Sequence, residues 1–433
     1  MAAAPALGAV RGAGRMAAWR AHAYGALDEL RLEAARVPAL RAPDDVLVRV
    51  AASSINPLDV AMLGGYGSRV LNALRSVEGA EGAEGVEFPL VCGRDFAGTA
   101  VRCGPAARLR PGARVWGVLP PHRPGAHADY VLVRDRWAGL APSTLDDLQA
   151  GGALYAALSA SAALRAGGLR AGARAARVLL LGLGGVGHAA LQLLVAAGAR
   201  VSVCRAGAGS AGRLQAGARA AAGAGRRGPR GAAAAGGGRR AGWRLHILHL
   251  FFSICNDVPQ VIVGCAGEQC DRALALGAAA ALDRHAPDYA RLLEDSGPYE
   301  VILDCAGLGG AEAGARRWRF GRYVTLTTPL LRDTDARGLL AGTAVATATL
   351  LAQGAAAARA GGAGACPPHV RWAYFAPNAD DIEHLRKLAE QGKFCVQVEE
   401  TFEWWRAREA FERAARGSAR GKLLLDFRAQ PRH

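Results

Sequence analysis

The sequence predicts an α/β protein in which a β-rich unit of barrel type gives way to a parallel sheet with crossover helices. Three observations carry this. Up to about residue 150 the chain reads as short apolar strands separated by turns such as Arg110-Pro111-Gly112. Beyond that point strand and helix patterns alternate. Between the first such strand and its helix stands Gly182-Leu183-Gly184-Gly185-Val186-Gly187.

In the first unit, 45–50 (DVLVRV), 114–119 (RVWGVL) and 129–133 (DYVLV) have the length and composition of strands. Residues 149–164 are Ala- and Leu-rich with helical spacing, and 188–197 is a second helix. Between them 177–181 (RVLLL) is a continuous apolar run, as expected of a strand covered on both faces. A later strand covers 298–304, followed by a helix over 380–391 and strands over 394–400 and 422–427.

Residues 201–260 fit neither pattern. They carry nine Arg and one Asp on an Ala/Gly-rich background. Joining 198–200 directly to Val261-Ile262-Val263-Gly264-Cys265 restores a strand after the first helix, which a doubly wound sheet requires. Val201-Ser202 can be encoded as a splice-donor consensus, 250–255 as a pyrimidine tract and Pro259-Gln260 as an acceptor end. The 60 codons would also keep the frame. The segment therefore reads as a translated intron; the alternative is a disordered Arg/Gly insertion with a partner of its own.

The net charge of +16 is concentrated in that segment and in the first 27 residues, which hold three Arg and no acid. No basic stripe is interleaved with aromatics, so nucleic-acid binding is not expected. The nine cysteines form no CxxC pair, which argues for reduced thiols over a disulfide framework or zinc lobe. No run reaches the roughly 18 uninterrupted apolar residues of a membrane span. Residues 1–15, cationic and free of acids, read as a mitochondrial presequence, with the matrix as destination. The 50 Arg against Lys387, Lys393 and Lys422 alone mark a codon bias that yields a similar composition.

A dinucleotide carries a pyrophosphate, for which a helix N-terminus with open backbone N–H groups is a ready receptor. Gly182 suits the sharp turn off the strand, Gly184 the approach of the phosphate, and Gly187 the close packing of helix on strand. The tip of the next strand selects the cofactor. At Cys265-Ala266 it carries no acid, which favours NADPH over NADH. Arg272 and Arg284 are candidates for the 2′-phosphate, with Glu268 and Asp271 close enough to oppose them.

Several stretches together resemble the zinc-free quinone-oxidoreductase branch of the medium-chain dehydrogenase/reductase superfamily. They are 54–59 (SINPLD), 88–95 (FPLVCGRD), 110–112 (RPG), 125–130 (GAHADY), the glycine turn and 415–422 (ARGSARGK). The resemblance implies a GroES-like β-barrel catalytic domain split around a Rossmann doubly wound parallel-sheet domain. The expected divisions are a presequence over 1–15, the catalytic domain over 16–150, the Rossmann domain over 151–366 and a return to the catalytic domain over 367–433. It also implies that Asn56 and Ser159 line the nicotinamide pocket, that Gly184, Gly185, Val186 and Gly187 hold the pyrophosphate, and that Tyr374, Phe375 and Ala376 form a cofactor-facing loop. Ala266 then lies at the adenosine end, and Arg284 stands where a similar member has a Tyr. Two departures stand out: the turn is one residue shorter than that member's Gly-Ala-Ser-Gly-Gly-Val-Gly, and Cys305 replaces an Asn.

Zinc alcohol dehydrogenases of the superfamily use a Cys and a Gly-His-Glu. Here Asn56 and Gly93-Arg94-Asp95 stand instead, so no metal site is expected, and the Arg–Asp pair reads as a brace of the interior. His122, His127 and His188 read as surface or cleft-edge side chains. Without a Lewis acid, quinones and activated enones are the fitting substrates, since their electrophilic carbons accept hydride directly. Tyr66 is the candidate proton or hydrogen-bond donor, or else an aromatic wall of the cleft; Asp59 orders the Asn-Pro turn. The expected function is thus NADPH-dependent reduction of a quinone or enone, which the resemblance implies is linked to ubiquinone metabolism. Two alternatives stay open: a cofactor-binding protein that engages a reticulon with little turnover, and a zinc alcohol dehydrogenase. Oligomeric state is not readable.

Overall fold

The computed structural model of the chain describes residues 14–78, 87–169, 177–198, 204–206, 260–360, 367–417 and 419–430. Nearly all of the expected presequence and of the 201–260 segment lies outside the described residues.

The long strand Asp45–Ile55 organises the first domain because its near-continuous apolar run can be covered on both sides. It pairs antiparallel with Asp95–Cys103, Tyr130–Arg134 and Lys422–Asp426. Three partners for one strand require curvature, and the register slips between Leu47 and Val48 and between Val50 and Ala52. Val398–Glu403, Arg114–Val118 and Ala138–Leu140 complete the seven-stranded sheet. The C-terminal residues thus return to the barrel formed by the N-terminal ones, so the domain is split in sequence and whole in space.

The second sheet also has seven strands, all parallel. Arg177–Leu181 lies at its centre, flanked by Gln260–Cys265 on one side and Tyr299–Asp304 on the other. Alternate side chains of this strand enter different cores: Val178 and Leu180 pack with the Leu154–Ala166 and Gly185–Ala196 helices, Leu179 and Leu181 with Ile302 and Ala357. Both faces are covered, which is why its sequence is a run rather than an alternation. The strand order reverses at its C-terminal end, where open α/β sheets bind ligands.

Four details depart from the expectations. The helix expected over 149–164 is two, Asp147–Gly151 and Leu154–Ala166, because Gly152 lets the chain pass against Leu424. The strand expected over 394–400 is Val398–Glu403, leaving 394–397 irregular. His369–Trp372 is the edge strand of the parallel sheet, so the chain leaves that sheet after 372 rather than at 366. Cys204–Ala206, at the opening of the segment that fitted neither pattern, forms an edge strand parallel to Ala280–Asp283.

Leu339–Ala360 is a 22-residue helix, long and apolar enough by length and composition to cross a membrane. Thr343, Thr347, Thr349 and Gln353 interrupt its apolar run, so it holds no unbroken apolar stretch of span length. Gly342, Ala346 and Ala357 seat it on the body of the protein.

Candidate active site

Two antiparallel registers bring distant polar residues together. Leu423 pairs with Ile55, so Lys422 falls opposite Asn56; Phe96 pairs with Ser53, so Asp95 falls opposite Ser54. Lys422 Nζ donates to Asn56 Oδ1 at 2.6 Å and lies 3.8 Å from Asp95 Oδ2. Asn56 Nδ2 donates to Ser54 Oγ at 3.1 Å, Ser54 Oγ donates to Asp95 Oδ1, and the Tyr155 backbone N–H donates to Asp95 Oδ2 at 3.1 Å. All four side chains are buried. A carboxylate survives such burial only beside a cation and hydrogen-bond donors, and Asp95 has both.

Beneath them Asp59 caps the short Pro57–Leu63 helix, accepting the Asn56 backbone N–H at 2.9 Å. Its other oxygen accepts the Gly93 N–H at 2.7 Å and faces Arg94 Nε at 3.5 Å. Arg94, wholly buried, spends its remaining donors on the carbonyls of Val91, Pro120, Pro121 and Arg123. Asp59 therefore orders the turn and Arg94 braces the interior. With Arg94 so committed and Asn56 held by Lys422, this donor set does not fit a zinc ion. Among the described residues no three His, Cys, Asp or Glu could hold a metal.

The glycine turn leaves the end of Arg177–Leu181. At Gly187 a Cβ would lie 2.0 Å from the Gly182 carbonyl oxygen, and Gly182 has φ of 90°, so both positions need glycine. Gly184 differs: a Cβ there would meet only the Ala419 carbonyl, at 3.8 Å. The Gly185–Ala196 helix starts on Gly184 with no side-chain cap, leaving its first N–H groups for an anion. An open cradle on an uncapped helix fits the pyrophosphate of a dinucleotide. A small, solvent-open cleft adjoins the turn, lined by Gly184, Gly185 and His188 together with Cys395, Arg420 and Lys422. Lys422 thus belongs to both the polar cluster and the cleft.

The histidines divide. His127 is buried rather than at a surface or cleft edge, whereas His188, largely buried, lines the cleft as a cleft-edge residue would. His127 Nε2 lies 3.1 Å from the Ser54 carbonyl oxygen, and its ring meets Phe411 edge-on. Gln192 Nε2 contacts His188 Nδ1 at 2.9 Å, and the Arg272 guanidinium faces the other ring nitrogen at 3.3 Å. Burial, then Arg272, pushes His188 down to about 4, so its ring is neutral near pH 7.

At the adenosine end, Ala266 is the N-cap of the Gly267–Ala275 helix. The Arg284 backbone N–H donates to the Cys265 carbonyl at 2.8 Å, which places Arg284 at the strand tip. Arg272 turns away to His188. The tip is not acid-free as expected, because Asp283 reaches it from the neighbouring strand: a Cβ on Gly267 would lie 2.5 Å from Asp283 Oδ2, so the case for NADPH rests on Arg284 alone. Glu268 pairs with Arg420 at 2.7 Å, linking this helix to the C-terminal segment.

The other expected residues lie apart from the lining of that cleft. Burial, then Tyr374 and Asp335, push the Tyr66 phenol up, which groups Tyr66 with Tyr374. Phe375 packs its ring 4.6 Å from that of Tyr155, and Ala376 is exposed. Ser159 Oγ donates back to the Tyr155 carbonyl at 2.7 Å, so its hydroxyl is spent on its own helix. Cys305 lies beside Gly187, its thiol pushed up by burial and then by Asp304. The reading of the sequence missed Lys422, Asp95 and Tyr155 as site residues. One signal was available: Lys422 is one of three lysines in a chain with 50 arginines.

Residues 42–143 match the family described as Alcohol dehydrogenase GroES-like domain, and 276–425 that described as Zinc-binding dehydrogenase. The mitochondrial NAD(P)H oxidoreductase RTN4IP1 of Drosophila melanogaster is 32% identical, covering 97% of this chain and 88% of its own length. The Homo sapiens protein of that name is 29% identical over 95% of this chain and 89% of its own. The quinone oxidoreductase from Coxiella burnetii superposes with a TM-score of 0.63 at 20% identity, over 95% of this chain and 99% of that one, a likeness of fold. With its two domains, its glycine turn and these relatives, the chain belongs to the medium-chain dehydrogenase/reductase family, in the group of the NAD(P)H oxidoreductase RTN4IP1, and is an oxidoreductase that uses a nicotinamide cofactor.

Proposed function

We propose that this chain is a mitochondrial NADPH-dependent reductase of quinones or activated enones, serving ubiquinone metabolism, that works without zinc. The observation that carries the chemistry is Lys422, an ammonium buried at the edge of the cleft where a zinc enzyme would place its metal ligands. Bound NADPH supplies the hydride. Gly184, Gly185, Val186 and Gly187 would hold its pyrophosphate, with Ala266 and Arg284 at the adenosine end and Tyr374, Phe375 and Ala376 along the nicotinamide side. Asn56 acts through Lys422: its Oδ1 fixes the ammonium 2.6 Å away. The fixed positive charge favours the negative charge that develops on a carbonyl oxygen as the adjoining carbon is reduced. Tyr66 remains protonated over the physiological range and is the hydrogen-bond donor to the reduced oxygen.

The test is absorbance loss of NADPH, and separately of NADH, with purified protein and a panel of quinones and enones. Turnover on at least one class, with NADPH the preferred donor, is expected. Tight NADPH binding without turnover on any acceptor would overturn the enzymatic reading and favour the cofactor-binding partner of a reticulon.

A further inference from the structure

The strand-to-helix turn at the adenosine end brings together two thiols that the sequence separates. Cys265 ends the Gln260–Cys265 strand and Cys270 sits in the Gly267–Ala275 helix, with 3.8 Å between their sulfurs. Cys265 is 2% exposed, whereas Cys270 is partly accessible. Both are thiols here. Their place matters more than their number. Ala266 and Gly267, between them, form the tip that would meet the adenosine ribose. On the same helix turn Gln269 Nε2 donates to the Leu183 carbonyl of the glycine turn at 3.1 Å, and Glu268 holds Arg420. Movement of this turn is therefore felt along the whole nucleotide-facing edge.

We propose that Cys265 and Cys270 form an oxidisable dithiol, converted by a hydroperoxide into an intramolecular disulfide that weakens nucleotide binding. The consequence for binding rests on the proposed cofactor site; the disulfide itself does not. Cys270, the accessible sulfur, attacks the peroxide oxygen, forming a sulfenic acid and releasing an alcohol, or water from hydrogen peroxide. Cys265 sulfur then attacks Cys270 sulfur, the S–O bond breaks, and the hydroxide leaves as water with the thiol proton of Cys265. The dithiol loses two electrons and the peroxide gains them. Burial, then Cys270, pushes the Cys265 thiol up, so it resists direct oxidation and acts as the resolving partner. A disulfide requires about 2.05 Å between sulfurs against the 3.8 Å here, so forming it draws the side chain of Cys270, and with it the first helical turn, towards the strand tip at Ala266 and Gly267.

The experiment treats the full chain with graded hydrogen peroxide. Free thiols are alkylated, the protein is reduced, and the newly released thiols are labelled with a second reagent. NADPH affinity is measured by fluorescence titration on the same samples. The expected result is second-reagent label on Cys265 and Cys270 together, with an affinity loss of about tenfold, the scale of one lost hydrogen bond. Dithiothreitol should reverse it, Cys270→Ser should abolish it, and Cys103→Ser, in the barrel, should leave it intact. Peroxide that leaves the pair unlabelled, or labels the two independently, overturns the site. A formed disulfide with unchanged NADPH affinity overturns its consequence. If the reduced chain binds no NADPH, the proposed function fails while the labelling still reads the disulfide.

Discussion

At the scale of single residues, the site is built on compensation among buried charges. Removing Lys422 leaves Asp95 buried with hydrogen bonds but no cation. Lys422→Met should lower kcat by about 100-fold, the scale of one fixed donor to a developing oxyanion. It should also cost about 1–3 kcal/mol of stability, with NADPH affinity changed far less. Lys422→Arg should recover the stability while its planar fork restores the rate only in part. Denaturant unfolding and steady-state kinetics on the two variants check this; equal rates in both and in the wild type would remove Lys422 from the mechanism. His188 tests the protein through pH. Its folded value is depressed to about 4, so the unfolded chain takes up the proton first as pH falls below 6.5. The stability it contributes is complete above pH 6.5 and is lost progressively towards pH 4, on the order of 3 kcal/mol in all. His188→Gln should flatten the unfolding midpoint across that window.

The elements were legible to different depths, for physical reasons. The glycine turn could be placed because its chemistry is local: strand, glycines and helix are contiguous, and 177–181 is a strand as read. Lys422 and Asp95 could not be assigned to Asn56, because only the pairing of separate strands puts them there. Cys265 and Cys270, five positions apart, lack CxxC spacing, and only the strand tip followed by a helical turn brings their sulfurs together. Gly152 broke a helix that its neighbours favour, since close approach to Leu424 outweighs Ala/Leu propensity. The turn itself offers a paired test. Gly187→Ala, with its Cβ 2.0 Å from a carbonyl oxygen, should destabilise the protein by more than about 2 kcal/mol. Gly184→Ala has room in the protein and should fold normally, yet weaken NADPH by about tenfold or more by filling the cradle. Thermal unfolding beside nucleotide titration separates the two; a Gly184→Ala protein with native affinity would place the pyrophosphate elsewhere.

At the scale of the whole molecule, the 201–260 segment gives the parallel sheet only Gln260 beside its central strand and Cys204–Ala206 at its edge, so the centre of the sheet rests on residues outside it. A chain lacking 201–260 should unfold at the same or higher temperature and bind NADPH more tightly than the full chain; equal affinities would count against this. Sequencing the mature transcript decides the intron reading directly, and a dominant message retaining these codons would end it. The split of the barrel domain, by contrast, is a permanent feature of the fold: the first and last thirds of the chain share one sheet.

That split has a consequence for synthesis. Asn56 and Asp95 leave the ribosome long before Lys422, which lies 366 residues beyond Asn56. Until it arrives, closing the barrel would strand a carboxylate in an apolar slot, and the slot itself lacks the strand that seals it. The Rossmann sheet, made in between, has no such debt and can form first around its own glycine turn. Nascent chains should therefore acquire a nucleotide-binding body early and a reactive centre only when the C-terminal strand docks, so a half-made oxidoreductase holds its cofactor without yet being able to use it.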